Sequence, residues 1–172
     1  MKRLCLLCFS LLFVVVSGCS QMGIISSNHL AAVELAKRAG AELDPERPII
    51  AASFTDINNL DKSSSFGRIA SQHLASQFST QGYTVIEMLL RSNVYIKKRE
   101  GEFLLSRALR NISSEHNAQA VIVGTYAVGA TKIFVTSKII RTDDSMVLAS
   151  YDYALDIDSD IKELLSERRS RR

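Results

Sequence analysis

Apolar positions in this chain change their spacing several times, and each change predicts an element. Leu4 to Val16 is apolar throughout except for Ser10. Asn28 to about Leu43 is rich in Ala, Leu, Glu and Lys, and predicts a helix capped by Asn28 with a stripe of Leu30, Val33, Ala36 and Leu43. Both prolines then fall in Asp44-Pro45-Glu46-Arg47-Pro48, which predicts a linker and places the start of the compact domain at residue 48. Ile49 to Phe54 reads as a buried strand, followed by a polar loop from Thr55 to Ser64. Phe66, Ile69, Ala70, His73, Leu74 and Phe78 lie on one helical face, predicting a helix over 65–81 that ends at Gly82. Tyr83 to Leu89 is a second strand, and Arg91 to Gly101 is basic and irregular. Leu105, Ala108, Leu109 and Ile112 mark a second helix ending near Asn117. Three strands close the pattern: Ala120 to Val128, Lys132 to Arg141 and Met146 to Leu155. On the last of these, Val147, Ala149, Tyr151, Tyr153 and Leu155 share a face.

Helical crossovers between the early strands imply parallel neighbours. The tight turns at Gly129 and at Thr142-Asp143-Asp144-Ser145 imply an antiparallel meander. The predicted fold is α/β (α+β), a mixed sheet of about five strands in the order β-α-β-α-β-β-β. Its helices lie mainly on one face, and an N-terminal helix precedes it.

The first apolar run is too short for a helical span, which needs about 20 residues. Lys2 and Arg3 precede it, and it ends in Val16-Ser17-Gly18-Cys19, which resembles the lipobox of bacterial lipoproteins. The expectation is a signal peptide over 1–18, diacylglycerol on Cys19 and a lipidated tether over 19–27. Cys5 and Cys8 lie in the removed segment, so Cys19 is the one cysteine of the mature chain and no internal disulfide can form. Two or three acyl chains would hold such a protein to a membrane durably. Ser20 stands where an aspartate would signal inner-membrane retention, so the expected location is the outer membrane, with the domain facing the periplasm. Loss of Lys2 and Arg3 leaves the mature chain near charge balance, which selects no anionic partner. No second run is long enough to span a membrane, and there are too few alternating segments for an outer-membrane barrel.

Candidate chemistry is sparse. His29, His73 and His116 lie in separate segments without metal-ligand spacing. His73 falls on an apolar helix face and His116 near a helix end, both structural positions. No nucleophile elbow, phosphate loop or dinucleotide fingerprint is present, and Gly124 and Gly129 read as a strand bulge or turn. Asp56 and Asp61 share a loop, but no group of matched pKa accompanies them. Arg91, Lys97, Lys98 and Arg99 near Tyr95, and the arginines of the basic tail over 158–172, read as solvated charge. The residues describe a tethered binding or structural module, not an enzyme, with no cofactor, no metal, no small-molecule substrate and no nucleic acid. A partner surface is expected at the carboxyl end of the first strand and the start of its helix: Asn58, Asp61, Ser64, Ser65 and Arg68.

Read as a series, several segments resemble the FlgO family of flagellar outer-membrane lipoproteins. They are Ala51-Ala52-Ser53-Phe54-Thr55-Asp56, Ser64-Ser65-Phe66-Gly67-Arg68, Gln81-Gly82-Tyr83-Thr84-Val85, Ser106-Arg107-Ala108-Leu109, and Ala118 through Tyr126. The resemblance spans residues 48–157. It implies a non-catalytic outer-membrane lipoprotein that supports flagellar assembly, stability or motility, with partners in the flagellar basal body. A more distant similarity, to the α/β modules of curli-secretion and peptidoglycan-synthase-activating lipoproteins, implies the alternative: scaffolding or regulation of a non-flagellar envelope machine.

Overall fold

The computed structural model describes residues 22–60, 63–88, 95–97, 103–105 and 107–166. Helix α1 is Ile24–Ala39, followed by a short 3-10 turn, Gly40–Glu42. Strand β1 is Ile49–Ala52 and β2 is Thr55–Asp56. Helix α2 is Ser65–Thr80, and β3 is Val85–Met88. Strands β4, Tyr95–Lys97, and β5, Phe103–Leu105, form an antiparallel pair. Then come helix α3, Arg107–Glu115, and strands β6, Ala120–Val128, β7, Lys132–Arg141, and β8, Val147–Asp156. Helix α4, Ser159–Leu165, ends the described chain.

The main sheet has the order β3-β1-β6-β7-β8, with β2 continuing beside β6. β3, β1, β2 and β6 run parallel, and β7 and β8 run antiparallel. This is the expected mixed sheet, because helices separate the parallel strands and short turns join the antiparallel ones. α1, α2 and α4 cover one face, where Leu35, Ile49, Phe54, Phe66, Leu74, Phe78, Ile122, Ile133 and Ile139 form a buried apolar core. Ile112 of α3 packs with Ile50, Val121, Val123 and Ile140 on the other face.

Six expectations are corrected. The tether over 19–27 is partly helical, since α1 begins at Ile24, and Asn28 is a buried mid-helix residue, not its cap. The stripe that packs is Ala31, Ala32, Leu35, Ala36 and Ala39, whereas Leu30 and Val33 stay exposed. Small residues face inward because α1 lies close against α2 and β8. The 44–48 segment does not separate the helix from the domain. Buried Gln119 accepts from the Asp44 N–H at 2.7 Å and donates to the carbonyls of Asp44 and Arg47, so the linker is fastened to the start of β6. Leu105 belongs to β5, and α3 begins after it. On β8, a register shift pairs Ile140 with Val147 and Ile139 with Ala149, which takes Val147 off the shared face and leaves it exposed.

One close approach organises the sheet's carboxyl end. β1 and β2 are a single path along β6, interrupted at Ser53 and Phe54. The Phe54 N–H donates to the Gly67 carbonyl at 3.0 Å, and the Phe54 ring lies over Gly124. A Cβ on Gly67 would sit 2.1 Å from the Phe54 carbonyl oxygen, and one on Gly124 would sit 2.3 Å from the Phe54 ring. In an unobstructed helix interior, Gly→Ala gains roughly 1 kcal/mol. Here the sign should reverse: Gly67→Ala is expected to destabilise the domain by about 1–3 kcal/mol through overpacking. Urea unfolding measures this, and a raised midpoint would contradict the close approach.

Candidate functional site

The expected partner surface begins where α2 begins. Ser64 caps the helix, its Oγ accepting from the Gly67 N–H at 3.2 Å, an arrangement typically worth about 1 kcal/mol. The same oxygen accepts from the Tyr126 hydroxyl at 2.8 Å, and Phe66 meets the Tyr126 ring edge-on at 5.1 Å. Burial raises the Tyr126 phenol above its ordinary range, partly offset by the bond to Ser64. Arg68 is exposed but turned back on the loop, donating to the Ser63 carbonyl at 3.1 Å and to Ser65 Oγ at 2.9 Å. Asp56 Oδ1 accepts from the Asn58 N–H at 2.8 Å, closing a small turn. Asn58, Ser64, Ser65 and Arg68 therefore belong to one rim, stiffened by its own hydrogen bonds. Asp61 lies outside the described residues, and so do Cys19, Arg91, Lys98, Arg99 and the terminal arginines. Beneath the rim, Ser53 Oγ and Thr55 Oγ1 are buried without a hydrogen-bond partner among the described residues.

Sequence reasoning missed a polar cluster between α1, α2 and β8. Asn28, fully buried, accepts from the Tyr153 hydroxyl through Oδ1, and its Nδ2 lies 3.0 Å from His73 Nδ1. His29 meets the His73 ring edge-on with centroids 6.0 Å apart. His73 is the half-buried structural histidine expected of it. Asparagine within a strongly helical stretch was the available signal. Its short side chain competes with helical hydrogen bonding, so a buried one needs partners elsewhere. Burial raises the Tyr153 phenol well above its usual range, so it stays a neutral donor. Burial, and to a lesser degree His29, lowers the His73 pKa.

Among the described residues, no catalytic geometry assembles. No group of three or more His, Cys, Asp or Glu residues could hold a metal among the described residues. An open cleft of about 410 Å³ between α2 and β3 is lined by Ala75, Ser76, Ser79, Thr80, Val85 and Glu87, which include no nucleophile with an adjacent base. No helix of the described residues is long and apolar enough to cross a membrane.

A mixed sheet with helices mainly on one face and a hydrogen-bonded polar rim at the start of α2 defines a small α/β domain. The chain belongs to the FlgO family: the model of that family, described as FlgO protein, matches residues 29–160. That span includes most of α1, in keeping with the helix's place in the core. Among solved structures, the LpoB C-terminal domain from Salmonella enterica is 11% identical with a TM-score of 0.50, covering 74% of this chain and 93% of its own. The PelC dodecamer from Paraburkholderia phytofirmans is 13% identical with a TM-score of 0.46, covering 66% and 74%. Lipoprotein GNA1162 from Neisseria meningitidis is 14% identical with a TM-score of 0.42, covering 67% and 84%. Identities this low speak for fold alone, and only the first score reaches 0.5. No curated protein matches the chain. Family membership supports an envelope lipoprotein.

The polar cluster should make stability pH-dependent. With the His73 pKa lowered in the folded state, the unfolded chain takes up its proton first on acidification. Stability is therefore full above the ordinary histidine value near 6.5 and declines as pH falls below it. Unfolding midpoints at neutral and mildly acidic pH should converge in His73→Gln, and an unchanged pH response in that variant would remove His73 as the cause.

Proposed function

We propose that this protein is a non-catalytic outer-membrane lipoprotein that supports flagellar assembly, stability or motility, held by lipid on Cys19 with its domain facing the periplasm. The family match over residues 29–160 carries the flagellar reading. The Val16-Ser17-Gly18-Cys19 sequence, behind a charged and then apolar start, supports removal of residues 1–18 and lipidation of Cys19. The rim of Asn58, Ser64, Ser65 and Arg68 is where we place contact with a protein of the flagellar basal body. It is exposed in part and held rigid, so little ordering accompanies binding.

An in-frame deletion should reduce swimming, and the wild-type gene should restore it. Cys19→Ser should leave the protein in the soluble periplasmic fraction and fail to restore swimming. Intact swimming in a flagellated deletion strain would overturn the flagellar role in favour of scaffolding another envelope machine. Cys19→Ser remaining with the outer membrane at wild-type level would overturn the anchor.

A further inference from the structure

Large apolar side chains left exposed are unevenly distributed. Met22, Ile25, Ile57, Val128 and Phe134 are each about half exposed, and Phe134 reaches 56%. All five lie at one end of the domain. Met22 and Ile24 line a cleft of about 200 Å³ with Leu155, Asp156, Asp158 and Ile161, which joins the start of α1 to the end of β8. The Ile57 N–H donates to the Tyr126 carbonyl at 2.9 Å, near the end of β6, and Val128 pairs with Ile133 at the β6–β7 turn. The Ile157 N–H donates to the Thr131 carbonyl at 2.8 Å, which brings that turn beside the end of β8. Phe134 leans towards the turn, since a Cβ on Gly129 would come within 3.3 Å of its ring. Its cross-strand neighbours are Ala127 and Ala154, too small to cover it. Of the other exposed large apolar residues, Leu30 and Val33 lie midway along α1, whereas Met146 and Val147 lie at the opposite end, by the β7–β8 turn.

We propose that this end of the domain seats on a phospholipid bilayer, with Met22, Ile25, Val128 and Phe134 entering the boundary between headgroups and acyl chains. The proposal rests on the lipidation of Cys19 put forward above. Cys19 and Met22 are three residues apart, a reach of at most about 11 Å. Apolar faces that bind in the interface sink about 5–10 Å into it. A lipid on Cys19 therefore keeps this end, and not the Met146 end, within contact distance of the bilayer. The carboxylates nearby are already engaged: Asp56 by the Asn58 N–H, Asp156 by Lys132, and Asp158 by the Ile161 N–H. Asp160 is exposed in the first turn of α4. The contacts named are apolar, so the seating should not depend on anionic lipid.

The chain has no tryptophan, so single substitutions give unique reporters. Full-length Phe134→Trp, Ile25→Trp and Met146→Trp proteins, processed in cells and purified, would be reconstituted into phosphatidylcholine vesicles containing acyl-brominated lipid, with and without phosphatidylglycerol. The Phe134→Trp and Ile25→Trp reporters should shift to shorter wavelength and be quenched equally in both compositions. The Met146→Trp reporter should remain unquenched. The mass of the N-terminal peptide is read separately, and an unmodified Cys19 would remove the anchor on which the proposal rests. Acylated protein whose Phe134→Trp and Ile25→Trp reporters behave like Met146→Trp would overturn the seating alone. A shift to shorter wavelength without quenching would assign the patch to protein contact and overturn it as well.

Discussion

The stacking of Phe54 on Gly124, with its backbone pressed against Gly67, is the constraint from which the rest of the carboxyl end follows. Both backbone polar groups of Phe54 face the first turn of α2, and the ring fills the space that a side chain at position 124 would take. The path along β6 has to break there, dividing it into β1 and β2. The break holds the start of α2 against the sheet, which lets Tyr126 reach Ser64 and Phe66 meet the Tyr126 ring. Two glycines, 57 positions apart, are needed for one phenylalanine. A fully buried Phe contributes about 1.5–3 kcal/mol from its transfer out of water, so the arrangement is anchored by packing rather than by the rim's exposed hydrogen bonds.

α1 joins this core as a working part of it. Ala31, Ala32, Ala36 and Ala39 permit a close approach to α2 and β8, and Asn28 supplies the specific contact that selects one rotational setting. A buried polar group has few arrangements in which all its hydrogen bonds are made, so it discriminates between packings that alanines alone would tolerate. Gln119 does the equivalent for the connection that follows, meeting three backbone groups of the proline-bounded segment.

Much of this was legible in the sequence. The strands over 120–128 and 132–141 stand at their predicted limits, because Val- and Ile-rich runs bounded by Gly129 and by Thr142 leave little freedom in placing them. α2 was equally plain from its helical spacing of Phe66, Ala70, Leu74 and Phe78. What was hidden has a common cause. Apart from Leu35, the inward face of α1 is made of alanine, serine and asparagine, which carry little hydropathy signal, so Leu30 and Val33 suggested the wrong side. The bulge in β8 depends on cross-strand register, which no local pattern encodes. That Ser64, Ser65 and Arg68 stand at a helix start was readable from the sequence. Their mutual bonding, and the dependence on Tyr126 some sixty residues away, come only from the fold.

The course of α1 along β8 has a mechanical meaning. Met22 lies by Leu155 and Asp156, Asn28 by Tyr153, and Arg38 donates to the Ser150 carbonyl, so the helix tracks the strand in the opposite direction over nearly its whole length. A pull on the chain ahead of Met22 is thus directed along the seam between helix and strand. Contacts arranged this way share a load simultaneously, instead of parting one after another as they would if the helix were peeled from its end. With the far end of α1 tied through Gln119 to the central strand of the sheet, tension at the N-terminus is delivered to the whole core.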